Sequence, residues 1–413
     1  MTSITEGLAS VVYQAHIASF QLAKTEIKVR DRLIKHLATS LALHKSQILD
    51  ANTLDLEASR ELELPDVVIE WLRLTPERLQ GTIACLEQLT LLSDPLANPH
   101  TYDGVKRIPI GTIAFIHEAF PLVAMVAVGM CIKAGNSIIL RGGSECLHTQ
   151  RAIAQMIAAA LDQEELPSSS VCLATEGSSI KELVTQEKYL RLVIPYGRPS
   201  FVQQVSRQTT VSALPTAMGN CHIYISPSAN LEEANRLILD SRSSEPDPVN
   251  AIEKVLIHRH WLQPSLIELL KVWQKKDWRI LCCPMIQEYM QQLGLELNQE
   301  HHWNQVYLDD RIAIKVVENL PEAITWINVN GSGHADCILT DSLKESNQFA
   351  AQVRSSMIFI NASNRFVRHS MLGANGNRTV ALGMTSLKNR GASRNPGMID
   401  LNALTTTKRV VVG

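Results

Sequence analysis

The stretch NSIILRGGSECLHTQRAIAQMI, residues 136–157, decides the fold of this chain. Residues 137–140 are a short apolar run of the kind found in a buried strand, and residues 149–161 carry apolar side chains at helical spacing. Arg141, Gly142 and Gly143 stand between these two segments. A strand followed by a glycine turn and a helix is the building unit of a parallel α/β sheet.

The glycine turn is a candidate phosphate cradle. Two glycines let a ligand approach the backbone closely, and a helix start offers unpaired N–H groups and a positive dipole end. Ser144 is a candidate cap, and Arg141 adds a positive charge. The pattern is neither G-x-G-x-x-G nor a P-loop, so a plain strand-to-helix turn is the alternative interpretation.

Strands and helices alternate on both sides of this stretch. Strands are predicted at residues 110–116, 171–173, 191–194, 222–225, 255–257, 279–283, 313–317, 337–340 and 357–360. Helical segments separate them, and this alternation predicts parallel, doubly wound sheets.

The same pattern predicts three regions. The first covers residues 1–238 and begins with a helical region, 1–95. A second α/β domain covers residues 239–372, and residues 373–413 follow it.

Composition excludes several classes of protein. Among 413 residues, 39 Lys and Arg face 41 Asp and Glu, so no basic surplus indicates a nucleic-acid partner. We find no signal peptide and no apolar run near the ~20 residues of a membrane-spanning helix. The eight cysteines form no C-x-x-C pair, so neither a zinc nor a thioredoxin-like site is predicted. A reducing cytoplasm is the expected location.

Six stretches in order resemble one known family. They are LRLTPERLQG (72–81), KAGNSIILRGG (133–143), GNCHIYI (219–225), GHADCILT (333–340), INASNRF (360–366) and LNALTT (401–406). Together they resemble gamma-glutamyl phosphate reductase, also called glutamate-5-semialdehyde dehydrogenase, of the aldehyde dehydrogenase superfamily. The resemblance implies an aldehyde dehydrogenase-like fold of two Rossmann-like α/β domains with an oligomerisation element. It implies that residues 1–238 are the cofactor-binding type of domain and residues 239–372 the catalytic type. Residues 373–413 are then expected to return to the first domain and to an oligomer interface.

The resemblance also implies a reaction, the NADPH-dependent reduction of L-glutamyl 5-phosphate in proline biosynthesis. In the family a cysteine thiolate displaces phosphate, and hydride then reduces the thioester. A thiolate suits this role because it is both a strong nucleophile and a good leaving group. The residues implied for the cofactor, NADP(H) if any is retained, are Arg141, Gly142, Gly143 and Ser144.

The chain departs from the family pattern where the chemistry takes place. Val249 stands at the position of the nucleophilic cysteine, Phe120 at that of a substrate-binding arginine, and Leu122 at that of an oxyanion-binding asparagine. Ala124, Tyr196 and Arg198 are further departures. The family has a C-terminal Gly-Leu-Gly-Ala-Glu motif, and the position of its glutamate is occupied here by Asn375 or Thr379. A shortened stretch at residues 98–106 predicts a reduced oligomerisation element.

Other family positions are kept. Glu118, Asn250, Asn361 and Arg365 are the implied remnants of a substrate pocket, and His334 and Asp336 also remain. Elsewhere the pairs His258–His260 and His301–His302 are interpreted as surface or strand-end residues. Glu245 and Asp247 are interpreted as parts of a polar turn.

Three hypotheses follow from these residues. The one that they favour is a catalytically silent protein of reductase fold, acting as a nucleotide-binding module or as a regulatory partner. The second is a working NADPH-dependent glutamate-5-semialdehyde dehydrogenase, and the third is an oxidoreductase of altered specificity. A homo-oligomer or association with an active paralogue is the expected assembly, and the small-molecule ligand is left open.

Overall fold

The computed structural model describes residues 7–97, 104–174, 177–243, 249–262, 264–286, 293, 295–297, 299, 302–373, 376–388 and 397–411. The chain divides into two units. The first comprises Met1–Ala217, Arg368–Gly383 and Met398–Gly413, and the second comprises Met218–Val367 and Met384–Gly397.

The described residues form helices and strands in alternation after an all-helical start. The helices are α1 Leu8–Leu22, α2 Ile27–Leu43, α3 Lys45–Glu61, α4 Asp66–Leu72, α5 Pro76–Leu91, α6 Pro121–Lys133, α7 Leu147–Gln163, α8 Ile180–Val184, α9 Pro199–Gln208, α10 Leu231–Ser241, α11 Pro264–Gln274, α12 Leu320–Asn330 and α13 Leu343–Gln352. The strands are β1 Val105–Pro109, β2 Thr112–His117, β3 Ser137–Gly142, β4 Val171–Leu173, β5 Leu192–Gly197, β6 Thr216–Ala217, β7 Cys221–Ile225, β8 Ile252–His258, β9 Arg279–Cys282, β10 Glu296–Leu297, β11 Arg311–Val317, β12 Ala335–Leu339, β13 Met357–Ile360, β14 Met371–Leu372, β15 Arg378–Thr379, β16 Met384–Thr385, β17 Gly397–Met398 and β18 Thr405–Arg409.

The first unit contains a parallel sheet with strand order β6-β5-β2-β3-β4. Its central strands are buried on both faces, which explains why they read as continuous apolar runs. The KAGN stretch before β3 anchors this sheet. The Lys133 ammonium, which is fully buried, pairs with Asp31 at 2.7 Å. The Asn136 carboxamide accepts from the Gly111 N–H and donates to the Leu404 carbonyl, both at 2.8 Å.

The second unit contains a parallel sheet of strand order β10-β9-β11-β8-β7-β12-β13. Aliphatic residues of the central strands pack with Leu266, Leu270 and Trp273 of α11 into one core. The helix before β8 is capped at its start, because the Asn230 side chain accepts from the Glu232 and Glu233 N–H groups. These two sheets confirm the prediction of an α/β fold.

The boundary between the units differs from the sequence prediction. The division lies at residues 217/218 rather than 238/239, because β7 pairs with β8 and β12 and so belongs to the second sheet. The C-terminal segment is also shared, since residues 384–397 belong to the second unit and only the remainder to the first.

The region predicted as a reduced oligomerisation element contains a small antiparallel sheet. Strand β1 pairs with β18 over five residues, from Val105 opposite Arg409 to Pro109 opposite Thr405. Residues 98–103 lie outside the described part of the chain. Among the described helices, none combines the length and apolar character that a membrane crossing requires.

Candidate functional site

The glycine turn of the first unit borders an open cavity of about 240 Å³. Strand β3 ends at Gly142, a single 3-10 turn covers residues 144–146, and α7 begins at Leu147. The polar or glycine residues of the lining include Arg141, Gly142, Gly143, Ser144, Gln150 and Arg151. The structure therefore brings together all four residues predicted for the cofactor.

Neighbouring side chains cover both glycines of the turn. A Cβ atom at Gly142 would lie 1.7 Å from the Gln150 amide nitrogen and 2.7 Å from the ring of the buried His117. A Cβ atom at Gly143 would lie 1.9 Å from the Glu145 carboxylate. A side chain at residue 142 would therefore displace the Gln150 amide and meet the His117 ring, whereas one at residue 143 would displace only the end of the Glu145 side chain.

The start of α7 differs from the sequence prediction. The prediction of unpaired N–H groups with Ser144 as a cap is wrong, because Asp55 of α3 accepts from the His148 and Thr149 N–H groups, each at 2.8 Å. Neither Ser144 nor any other flanking side chain caps this helix start. A carboxylate thus already occupies the positive end of α7. The positively charged residues that line the cavity are Arg141 and Arg151.

Glu118, a predicted pocket remnant, follows β2 and is held by Arg198. The Arg198 guanidinium donates to one Glu118 carboxylate oxygen at 2.6 and 3.0 Å, and the Arg198 backbone N–H donates to the other at 3.0 Å. Nearby, the Ala119 N–H donates to Glu145 at 2.7 Å. Burial raises the pKa of Glu145. Both carboxylates therefore tie together the chain segments that follow β2, β3 and β5.

Two departures from the family pattern pack against each other. The Phe120 ring lies 5.2 Å from the Tyr196 ring, edge to face, and 4.8 Å from the Trp71 ring. The Tyr196 hydroxyl accepts from Arg368 at 3.0 Å. Phe120 is 3% exposed and Leu122 is 7% exposed. The two positions that the resemblance assigns to polar groups are thus part of a buried apolar surface.

The turn that carries the nucleophile in the resembling family lies before β8 in the second unit. Val249 is 1% exposed, and its carbonyl accepts from the Gly219 N–H at 2.9 Å. Asn250 is also 1% exposed, and among the described residues neither the nitrogen nor the oxygen of its carboxamide has a hydrogen-bond partner. Glu245 and Asp247 lie outside the described residues.

Two buried charged residues, Glu253 and Lys254, follow this turn, and no motif in the sequence points to them. Glu253 accepts from the Tyr307 and Leu308 N–H groups at 2.7 and 2.8 Å. Lys254 donates to Glu253 at 3.1 Å and to the Gln305 carbonyl at 2.8 Å. Burial lowers the pKa of Lys254 to about 8. Together the pair fastens residues 305–308 to β8.

Asn361 and Arg365, the other predicted remnants, have partners within the second unit. Both polar atoms of the Asn361 side chain bond to the Thr340 backbone at 2.9 Å. Arg365 lies 3.4 Å from the Asp240 carboxylate. Asn361 therefore joins the ends of β12 and β13 with the same two atoms that a ligand would need.

The cysteines are largely buried. All eight are thiols; seven are buried, and Cys172 is partly buried. Burial raises the pKa of Cys85 to about 11 and that of Cys282 to about 12, and it also raises the pKa of Cys146, Cys221 and Cys337. Thiolate is the reactive form, so these thiols are poor nucleophiles at neutral pH. No group of three or more candidate metal ligands occurs among the described residues.

The chain matches a known protein family over more than half of its length. A model of the aldehyde dehydrogenase family matches residues 4–272, and the chain belongs to this family. An acetylating aldehyde dehydrogenase from Geobacillus thermoglucosidasius shares the fold at 16% identity, with a TM-score of 0.73 over 98% of this chain and 96% of that one.

Proteins of higher sequence identity show which branch of this family the chain belongs to. Gamma-glutamyl phosphate reductase 2 of Synechocystis sp. is 39% identical over 98% of this chain and 97% of its own length. The reductase of Gloeobacter violaceus is 34% identical over 100% of this chain and 98% of its own length. The crystal structure of the Thermotoga maritima reductase is 31% identical, with a TM-score of 0.84 and 99% coverage of both chains. Within the aldehyde dehydrogenases, the chain is a member of the gamma-glutamyl phosphate reductase family, as its motifs predict.

Proposed function

We propose that this protein is a catalytically silent member of the gamma-glutamyl phosphate reductase family, which binds NADP(H) and acts as a nucleotide-binding or regulatory partner. The observation that carries the proposal is the buried hydrocarbon side chain of Val249 at the nucleophile position. The family's place in proline biosynthesis gives the expected context, and the reduced thiols fit a cytoplasmic location.

The covalent route needs a lone pair at residue 249. In the family reaction a thiolate attacks the acyl carbon, the acyl–phosphate bond breaks, and hydride displaces the thiolate from the resulting thioester. Valine can neither attack nor leave. Leu122 also offers no donor to the developing oxyanion, and loss of one such donor lowers the rate by roughly 10²–10³.

The cavity of the first unit fits a phosphate-bearing nucleotide. Gly142 and Gly143 line this cavity, and the positively charged Arg141 and Arg151 line it beside them. Two guanidinium groups favour a cofactor with an additional phosphate, and this supports NADP(H) over NAD(H). When bound, the cofactor would supply or accept hydride, and the residues named here would only hold and orient it.

The test is a pair of measurements on the full chain. We expect saturable NADPH binding in a fluorescence titration, and no NADP⁺ reduction with glutamate semialdehyde and phosphate. Arg141→Ala should weaken NADPH binding, whereas Arg259→Ala, an exposed residue of the second unit, should leave it unchanged. A saturable turnover rate would overturn the proposal that the protein is catalytically silent. A lack of NADPH binding would overturn the proposed cofactor.

Val249→Cys provides a second test. We expect no turnover from this single change, because Phe120 and Leu122 remain apolar. Full rescue would show that the remainder of the machinery is intact.

A second candidate is an active NADPH-dependent reductase or an oxidoreductase of altered specificity. The end-to-end identity of 39% with a protein named as a reductase favours it. Without a thiol, hydride would have to attack the acyl phosphate directly, with phosphate as the leaving group. NADPH oxidation that releases one phosphate per hydride, or turnover of any member of an aldehyde panel, would select this candidate.

The assembly is part of the proposal. A homo-oligomer or a complex with an active paralogue is the expected form, and the β1–β18 sheet has exposed residues on β18. Light scattering on the purified chain, alone and mixed with an active reductase from the same source, would measure the mass. A monomer in both samples would exclude both assemblies.

A further inference from the structure

Helix α1 of the first unit carries an exposed apolar stripe, which consists of Tyr13, Ile17 and Phe20. Each of these side chains is between 43% and 54% exposed. At about 100° per residue, the three positions lie within about 60° of the helix circumference. The opposite face of α1 is buried in the first unit and consists of Leu8, Val12, Ala15, Ala18, Ser19 and Leu22. No other described helix has more than one large apolar side chain that is exposed.

Neighbouring rings hold the two aromatic side chains of the stripe in place. The Tyr13 ring lies 5.2 Å from the Tyr189 ring, and the Phe20 ring lies 4.9 Å from the His16 ring. His16 in turn lies 5.4 Å from Tyr189. Side chains that are already ordered lose little conformational entropy when a partner binds. The stripe is therefore a pre-formed surface.

The stripe carries no charge. From Leu8 to Leu22 the helix has no Lys, Arg, Asp or Glu. Burial, with a smaller effect of Arg191, lowers the pKa of His16, so this ring is neutral at pH 7. Exposed charges stand only beyond the two ends of the stripe, where Lys24 follows Phe20 by four residues and Lys188 lies 5.0 Å from the Tyr189 ring. The partner of the stripe is thus specified by apolar shape.

The order of the three residues makes the stripe complementary to itself. Ile17 stands between two aromatic residues, four positions after Tyr13 and three before Phe20. A two-fold axis beside Ile17 would place a second α1 antiparallel to the first. The two Ile17 side chains would then meet, and each Tyr13 would face Phe20 of the other copy. Such an isologous contact closes after two chains.

We propose that α1 forms a homodimer contact, in which the stripe of Tyr13, Ile17 and Phe20 packs against the same stripe of a second copy. The inference rests on the proposed function for the homo-oligomer and names its contact surface. One pair of helices buries less than the standard interface area of about 1,600 Å². The dimer should therefore be weak, with a dissociation constant on the order of 10 μM.

Sedimentation velocity on the full chain measures the association. We expect monomer at about 1 μM and mostly dimer at about 200 μM. Ile17→Lys should weaken the dimer at least about 100-fold, because two like charges would meet in an apolar contact. Leu43→Lys, at an exposed position of α2, is the matched control and should not change the mass. Both changes are at the surface, so the melting temperature at low concentration should equal that of the parent.

A mixture of two variants tests the antiparallel arrangement. Tyr13→Lys and Phe20→Glu should each weaken the dimer at least about tenfold, a difference of about 1.4 kcal/mol. In an equimolar mixture, the introduced lysine of one chain faces the introduced glutamate of the other, and Phe20 of the first chain faces Tyr13 of the second. The mixture should therefore associate more tightly than either variant alone. This test also holds if Ile17→Lys does not fold.

Salt dependence gives an independent readout. Only the like charges of Lys24 and Lys188 flank the contact, so raising sodium chloride should strengthen the dimer or leave it unchanged. Association that weakens steadily with salt would indicate a charge-driven contact and would overturn the inference.

Three further results would also overturn it. They are a parent chain that is monomeric at about 200 μM, a dimer that Ile17→Lys leaves intact, and a mixture that associates no better than its two components. The second of these would keep the homo-oligomer and place its interface elsewhere. NADPH titration of the same samples is read separately, because α1 contributes no residue to the cavity at the glycine turn. Loss of NADPH binding with the dimer retained would contradict the proposed cofactor and not this inference.

Discussion

At the scale of single residues, Asp55 caps the start of α7, the helix that follows the glycine turn. Its two carboxylate oxygens accept from the His148 and Thr149 N–H groups. The residue lies 93 positions before its partner, and nothing in the local sequence of α3 indicates the contact. A carboxylate of the chain itself therefore occupies the positive end of α7, and the positive charge that borders the cavity comes from arginine side chains.

Asp55→Ala should lower the free energy of unfolding by about 1 kcal/mol, the usual effect of removing a helix cap, within a range of roughly 0.5–2 kcal/mol. Urea unfolding followed by circular dichroism measures it. Asp50→Ala is the control, because Asp50 lies on the same helix but is exposed. An equal effect of the two substitutions would contradict the capping role.

Lys254 gives a prediction for pH dependence. Burial lowers its pKa from 10.5 to about 8 in the folded chain. Between these values the unfolded chain holds a proton that the folded chain has lost, so the free energy of unfolding rises with pH in this window. The burial penalty is fully present below pH 8 and is relieved above it.

The measurement compares the chain with Lys254→Met at several values from pH 7 to pH 10.5. The difference in unfolding free energy between variant and parent should be constant below pH 8 and shift in favour of the parent above it. Lys271→Met, at an exposed position, should show no such dependence. A flat difference at Lys254 would show that its pKa is not lowered.

At the scale of elements, the Phe120 ring packs against other rings at the position where the family pattern has an arginine. Phe120 begins the segment that leads into α6, and Tyr196 belongs to β5. Each departs from the family pattern, and the two rings meet edge to face. A change at either position therefore affects how the other is packed.

A double-mutant cycle with Phe120→Leu and Tyr196→Leu should show a coupling free energy of about 0.5–1.5 kcal/mol, the usual value for an aromatic pair. Unfolding of the parent, the two single variants and the double variant supplies it. Phe20→Leu, at a ring that is 54% exposed, should be nearly neutral and additive with Tyr196→Leu. Strict additivity of the Phe120 and Tyr196 changes would mean that the rings pack independently.

The sequence predicts the helices and strands better than it predicts the contacts between them. The predicted strands at 222–225, 313–317 and 357–360 agree with β7, β11 and β13 to within two residues at each end, because buried parallel strands are continuous apolar runs. Thr75 and Asn230 cap the starts of α5 and α10, and both are residue types that favour this position. The pairs Asp55–α7, Phe120–Tyr196 and Glu118–Arg198 join residues 76 to 94 positions apart. Such pairs leave no periodicity in the sequence.

At the scale of the whole molecule, the two units differ in what they keep. The first retains a cavity with a glycine turn and two arginines, which are properties of a binding site. In the second unit, a buried valine, Val249, stands at the position that the resemblance assigns to the nucleophile. The eight thiols are distributed over both units, and seven of them are buried.

This distribution predicts the thiol reactivity of the whole chain. With Ellman's reagent at pH 8, the native protein should show at most one fast-reacting thiol, Cys172, because the reagent needs an accessible thiolate. The remaining seven should react only when the chain unfolds, and the total in denaturant should be eight. Cys172→Ser should remove the fast phase and leave the slow one, whereas Cys85→Ser should leave the fast phase intact. A fast phase that survives Cys172→Ser, and that NADPH or an aldehyde protects, would identify an accessible thiol at a ligand site and would restore covalent catalysis as the explanation for this fold.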